Sequence, residues 1–141
     1  MSLENFKNVT YAKIIAGFAL QAWQTSGDKF GNCLYNGPNN LHCAVGLLLD
    51  QSKVNANLEI SSVTTLINKK MLQKDVQVVL DNLSDADKRE ARFFLSSLQT
   101  THDMVARAHA LHAPHRMNLK REILRVARER GVDVSKLETE K

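Results

Sequence analysis

Apolar residues recur along this chain at helical rather than strand spacing. Ile14, Ile15, Phe18, Ala22 and Trp23 share one stripe of a predicted helix over 11–25, with Lys13, Gln21 and Gln24 off it and Asn8 or Thr10 as cap. "SGD" at 26–28 stops it, and 26–42 reads as a long loop rich in Gly and Asn, with a short extended piece near 32–35. "NGPNN" at 36–40 is strong turn chemistry, because Asn-Gly tolerates positive φ and Pro38 fixes its own. The next seven residues, "CAVGLLL" at 43–49, offer no polar face, so they predict a short helix buried on all sides. Gly46 inside it costs about 1 kcal/mol against alanine, which points to close approach of another backbone.

Residues 50–60 are polar and irregular. Ser61 or Ser62 caps a short helix through "VTTLINKKM", and a further helix over 73–83 carries Val76, Val79, Leu80 and Leu83 on one side. "SDAD" at 84–87 resembles a capping box with Asp in place of Glu. It opens a long helix running to about 109–113, where Pro114 ends it. The apolar line of that helix is Phe94, Leu98, Thr101 or His102, and Val105, widened by Phe93 and Leu95. A last helix over 119–130 is capped by Asn118 and stopped by Gly131. Leu119, Ile123, Val126 and Ala127 face inward, and Arg121, Arg125 and Arg128 form a basic outer face. The expectation is a mainly α, single compact domain of five to six helices over 1–141, with its core at about 10–135 and frayed ends.

Composition agrees with that picture. The 141 residues fit one domain, and 43% hydrophobic with 24% charged residues is an ordinary balance for a globular chain. A formal charge of +4 and a pI near 9.2 are mild and favour acidic partners only weakly. No basic head followed by an apolar block opens the chain, and no apolar run is long enough to span a bilayer. The chain therefore reads as a cytoplasmic protein with no membrane contact, in which Cys33 and Cys43 are reduced thiols.

Those two cysteines lead the candidate chemistry. Cys43 heads the short apolar helix, where unpaired N–H groups and the helix dipole favour a thiolate. His102 is the candidate base for it and Asp103 the candidate orienter, although neighbours in sequence diverge on a helix. The plainer reading makes Cys43 a small buried hydrophobe. No metal or other cofactor is expected. If a metal were bound, Cys33, Cys43 and His102 would be its ligands, but the cysteine spacing lacks the tight pair of a zinc knuckle. His109 and His112 lie three apart near a helix end, and with Arg121, Arg125 and Arg128 they form a candidate contact surface. The segment 116–130 holds six Lys/Arg and two Glu, without interleaved aromatics.

The residues Cys33, Tyr35, Gly37, Pro38, Cys43, Ala44 and Gly46, followed by Leu98, Gln99, His102 and Asp103, also form a pattern. It resembles a family of small uncharacterised proteins encoded by bacteriophages and prophages, over roughly 10–135. The resemblance implies a genomic origin and no mechanism, and it suggests that Cys33, Cys43 and His102 meet in space. The favoured reading is a phage-type accessory protein that binds, and inhibits, a host or defence protein in the host cytoplasm. One alternative is a thiol hydrolase using Cys43 and His102, and another is a basic nucleic-acid-binding module.

Overall fold

The computed structural model describes residues 2–26, 34–37, 41–54, 62–110 and 118–132, with the side chains of 109 and 110 outside that description. It is mainly helical: α1 (Leu3–Leu20), α2 (Val63–Asn68), α3 (Lys74–Asp81), α4 (Asp85–Ala110) and α5 (Leu119–Glu129). No β-strand occurs among the described residues; of the extended piece expected near 32–35, residues 32 and 33 lie outside the described residues, 34 and 35 form no strand, and the next residue, Asn36, makes an isolated bridge to His42. No helix is long and apolar enough to cross a membrane among the described residues.

Local chemistry sets the helix ends. Ser62, Ser84 and Asn118 each accept a hydrogen bond from the backbone N–H three residues on, at 2.9–3.2 Å, and so open α2, α4 and α5 as expected. Gly131 adopts φ +86 just past α5, the left-handed terminus that glycine favours. The first helix departs from expectation at both ends. Ser2, not Asn8 or Thr10, caps it by accepting from Asn5 N–H at 3.1 Å. Thr10 lies inside the helix and returns its hydroxyl to the Phe6 carbonyl. Phe6, Thr10, Ile14 and Phe18, four residues apart, are all buried, so the core begins earlier than residue 10. The helix ends at Leu20 because Ala22 and Trp23 turn left-handed, with φ of 55 and 58.

The long helix α4 is the hub, packing against α1, α2, α3 and α5. Phe94, Leu95, Leu98 and Val105 face the core as expected, but Phe93 does not widen that line: it is 54% exposed. Residues 43–49 form the plug the apolar run predicts, buried except for the partly buried Leu47, though as a turn and a 3-10 helix at Gly46–Leu48 rather than an α-helix. Leu49 bridges to Leu72, and Asp50 N–H and Gln73 N–H bond to the Met71 and Leu48 carbonyls across that bridge. This pairing stops the plug from winding into a longer helix.

Candidate functional site

Gly46 carries the close approach its position implied. A Cβ there would fall on the carbonyl oxygen of Tyr35, so the loop backbone lies directly on the plug. His42 reaches back over the same loop: its ring Nδ1 bonds to Asn36 Oδ1 at 2.6 Å, while its backbone exchanges two hydrogen bonds with the Gln21 amide. The Cys43 side chain is wholly buried, and its Sγ accepts from Gly46 N–H at 3.4 Å, closing the first turn of the plug. A three-residue 3-10 helix has little dipole to offer a thiolate, so the helix-head activation expected for Cys43 loses its basis.

His102 is also wholly buried, and both ring nitrogens are engaged. Nε2 accepts from Ser26 N–H at 2.9 Å, so the ring proton sits on Nδ1, which donates to Asp103 Oδ1 at 3.0 Å. Asp103 therefore does orient the imidazole, although the two are neighbours in sequence. The same carboxylate oxygen accepts from Gln99 Nε2 at 2.8 Å, and Gln99 Oε1 accepts from Val45 N–H at 3.0 Å. Gln99, His102 and Asp103 thus form one relay from the plug to Ser26 at the exit from α1. Phe18 stacks parallel on His102 at 6.0 Å, Trp23 stacks on Phe18 at 5.7 Å, and Lys120 lies over Trp23.

In this arrangement the lone pair a base would use is committed to Ser26, and the thiol a nucleophile would use is sealed from solvent. The geometry gives Cys43, His102 and Asp103 work in holding the loop. Among the described residues no cluster of three or more metal-ligating side chains occurs, and Cys33, the third suggested ligand, lies outside the described residues.

No protein family matches the chain, and no curated protein or solved structure matches it either.

The remaining candidates lie on α5 and the end of α4. Arg121, Arg125 and Arg128 are exposed as expected. Arg125, however, bonds to Glu122 at 3.1 Å and Glu129 at 2.9 Å, and these carboxylates, Glu122 first, hold its proton more firmly than usual. The middle of the basic face is therefore neutralised within its own helix. The His109 side chain and all of His112 lie outside the described residues. Sequence reasoning missed Ser26, read only as a helix stop, because nothing local marks a backbone N–H as the partner of a histidine 76 positions away. It also missed the exposed face of α4. Phe93 and Met104, eleven residues apart and therefore on one helical face, are 54% and 55% exposed. Between them run Ser96, Ser97 and Thr100, beside a groove completed by Val126 and Glu129 of α5 and by Arg130 at its C-cap.

Proposed function

We propose that the protein acts by binding another protein through the α4–α5 groove, with Phe93 and Met104 as apolar anchors. The observation that carries this reading is the exposure of those two large side chains on one face of a helix whose other large apolar side chains, Phe94, Leu95, Leu98 and Val105, are buried. Exposed Arg89 and Arg107 stand at either end of the stripe, and Arg130 lines the groove with its guanidinium on Ser97 Oγ. With Glu129 of the lining paired to Arg125, the cations left around the apolar centre favour a partner segment with one or two apolar side chains flanked by carboxylates. The resemblance to phage-encoded proteins adds the narrower proposal that the partner is a host or defence factor that binding inhibits. The sealed Cys43 and the committed His102 support binding over thiol hydrolysis, and the neutralised Arg125 supports a protein partner over nucleic acid.

The test places a photoreactive phenylalanine analogue at Phe93 and, separately, at Val78 on α3, and irradiates each in lysate of the cell carrying the gene. One cross-linked protein with an acidic contact surface, obtained from position 93 alone and lost with Met104→Asp, supports the reading. Cross-links to a second copy of this chain, equal labelling at both positions, or no product overturn it.

A further inference from the structure

At the exit of α1 two successive residues that are not glycine, Ala22 and Trp23, take left-handed φ values of 55 and 58. L-residues visit that region singly and at a cost, and glycine usually takes it where a helix must end. Lys70 past α2 and Gly131 past α5 are single residues of that kind. The first left-handed residue of the α1 exit is accounted for as a cap. Ala22 N–H bonds to the Ala19 carbonyl at 3.1 Å, and Trp23 N–H to the Phe18 carbonyl at 2.8 Å. A cap of that form does not require the second, at Trp23.

Nothing in the local sequence asks for a break at this point. Gln21, Ala22, Trp23 and Gln24 include the best helix former and contain no Gly, Pro, Asn or Asp. The sequence carries its stop later, at Ser26 and Gly27, which suits a helix running to Thr25. The break is imposed from elsewhere in the fold. Trp23 stacks on Phe18 at 5.7 Å, and the Lys120 ammonium lies 5.7 Å from its ring. Ser26 is tied at three atoms. Its N–H donates to His102 Nε2 at 2.9 Å, its carbonyl accepts from Leu34 N–H at 3.2 Å, and its hydroxyl donates to the Leu41 carbonyl at 3.2 Å. Strain of this kind persists only where the surroundings over-determine it. Local preference and distant contacts thus favour two different conformations of one short segment, which is the basis of a two-state element.

We propose that residues 21–26 form a two-state latch on His102. In the closed state Ala22 and Trp23 are left-handed and Ser26 N–H occupies His102 Nε2. In the open state α1 winds on through Thr25. A helical side chain five residues beyond Phe18 points about 140° away from it, so Trp23 leaves the stack. The Ser26 N–H is not orphaned by the change, because the added turn gives it the Ala22 carbonyl four residues back. What opening releases is the Nε2 lone pair of His102, together with the ties from Ser26 to Leu34 and Leu41. The latch therefore sets whether the imidazole is committed to the chain or available. It goes beyond the binding reading, since neither its residues nor His102 line the α4–α5 groove.

The experiment is relaxation-dispersion NMR of the full chain, with Trp23, its only tryptophan, as a fluorescent reporter. The native chain is expected to show exchange centred on 21–26 and the His102 ring, with a minor state whose Cα shifts are helical over 22–25. Ala22 is exposed, so substitution there changes backbone preference and little packing. Ala22→Gly removes the penalty of positive φ and should lower the minor population about tenfold. Ala22→Val raises that penalty and should increase the minor population about tenfold, shifting Trp23 emission to the red. The glycine variant keeps the test readable if the valine variant does not fold. A native chain without this exchange, a minor state that is not helical over 22–25, a population that Ala22→Gly does not lower, or a folded Ala22→Val chain with an unchanged population overturns the proposal.

Discussion

At Gly46 the plug and the loop meet backbone to backbone, leaving no room for a methyl group beside the Tyr35 carbonyl. Gly46→Ala is therefore expected to cost at least about 1–3 kcal/mol, since neither backbone is a flexible side chain that could yield. Urea unfolding measures this, and a loss below about 0.5 kcal/mol would contradict the contact. This constraint was legible beforehand because a glycine amid helix formers breaks a local rule. The Tyr11 hydroxyl announced nothing: it is buried without a partner, and only the packed structure reveals the missing acceptor. Burial raises its phenol well above the ordinary tyrosine value, and the Arg128 charge offsets this only in part. The folded chain thus keeps a proton that the unfolded chain releases near pH 10, so stability falls as pH rises past about 10. Tyr11→Phe should flatten that alkaline fall. At neutral pH it should raise stability by about 1 kcal/mol, because no unpaired hydroxyl is then buried. Melting curves of both chains from neutral to alkaline pH compare the two effects. A steeper alkaline loss in Tyr11→Phe would refute the assignment.

The helices were legible in proportion to how local their signals are. α5 shows its cap, its apolar stripe and its stop within the segment, and its expected end lies within a residue of the observed one. Asn118→Ala is expected to destabilise by about 1 kcal/mol, and Asn118→Gly by only a few tenths, the pattern of a lost N-cap rather than lost packing. Gly131→Ala should cost about 1 kcal/mol through its φ of +86 alone, since a Cβ there meets nothing within 4 Å. Chemical denaturation of the three variants checks both ends, and equal losses for Ala and Gly at 118 would point to another cause. In α1 the signals were less local. Thr10 resembles a cap until its hydroxyl is seen to bond backward within a helix already begun at Leu3. The exit is made by Ala22 and Trp23, two residues with no intrinsic preference for positive φ, held there while Trp23 stacks on Phe18. The apolar run 43–49 was legible as buried but not as 3-10, because its length is set by the bridge to Leu72, a residue of another segment. A recess lined by Asn68, Gln77 and Arg92 was illegible for the same reason, its groups being drawn from three helices.

Across the molecule, the stretch 43–49 of the connection between α1 and α2 behaves as core rather than as a surface loop. Its plug residues Cys43, Ala44, Val45, Leu48 and Leu49 are buried as deeply as the helix stripes around them. A buried irregular segment must find partners for its backbone groups, and here α4 supplies them through side chains. Val45 N–H goes to Gln99, Ser26 N–H goes to His102, and both side chains converge on one oxygen of Asp103. Gln99 and His102 therefore hold two distant parts of the chain through a shared group, and their effects on stability should not add. Gln99→Ala and His102→Ala each leave a buried N–H without its acceptor and are expected to cost about 1–3 kcal/mol. Once either is gone, Asp103 loses one of the donors that fix it, and the other side chain loses part of its value. The double variant should then cost less than the sum, by about 0.5–3 kcal/mol. Hydrogen exchange adds a local reading, with protection at Val45 and Ser26 falling more than protection across α5 in each single variant. Additivity within about 0.3–0.5 kcal/mol would mean that the two side chains act separately. The relay would then be two unconnected hydrogen bonds that happen to end on one carboxylate.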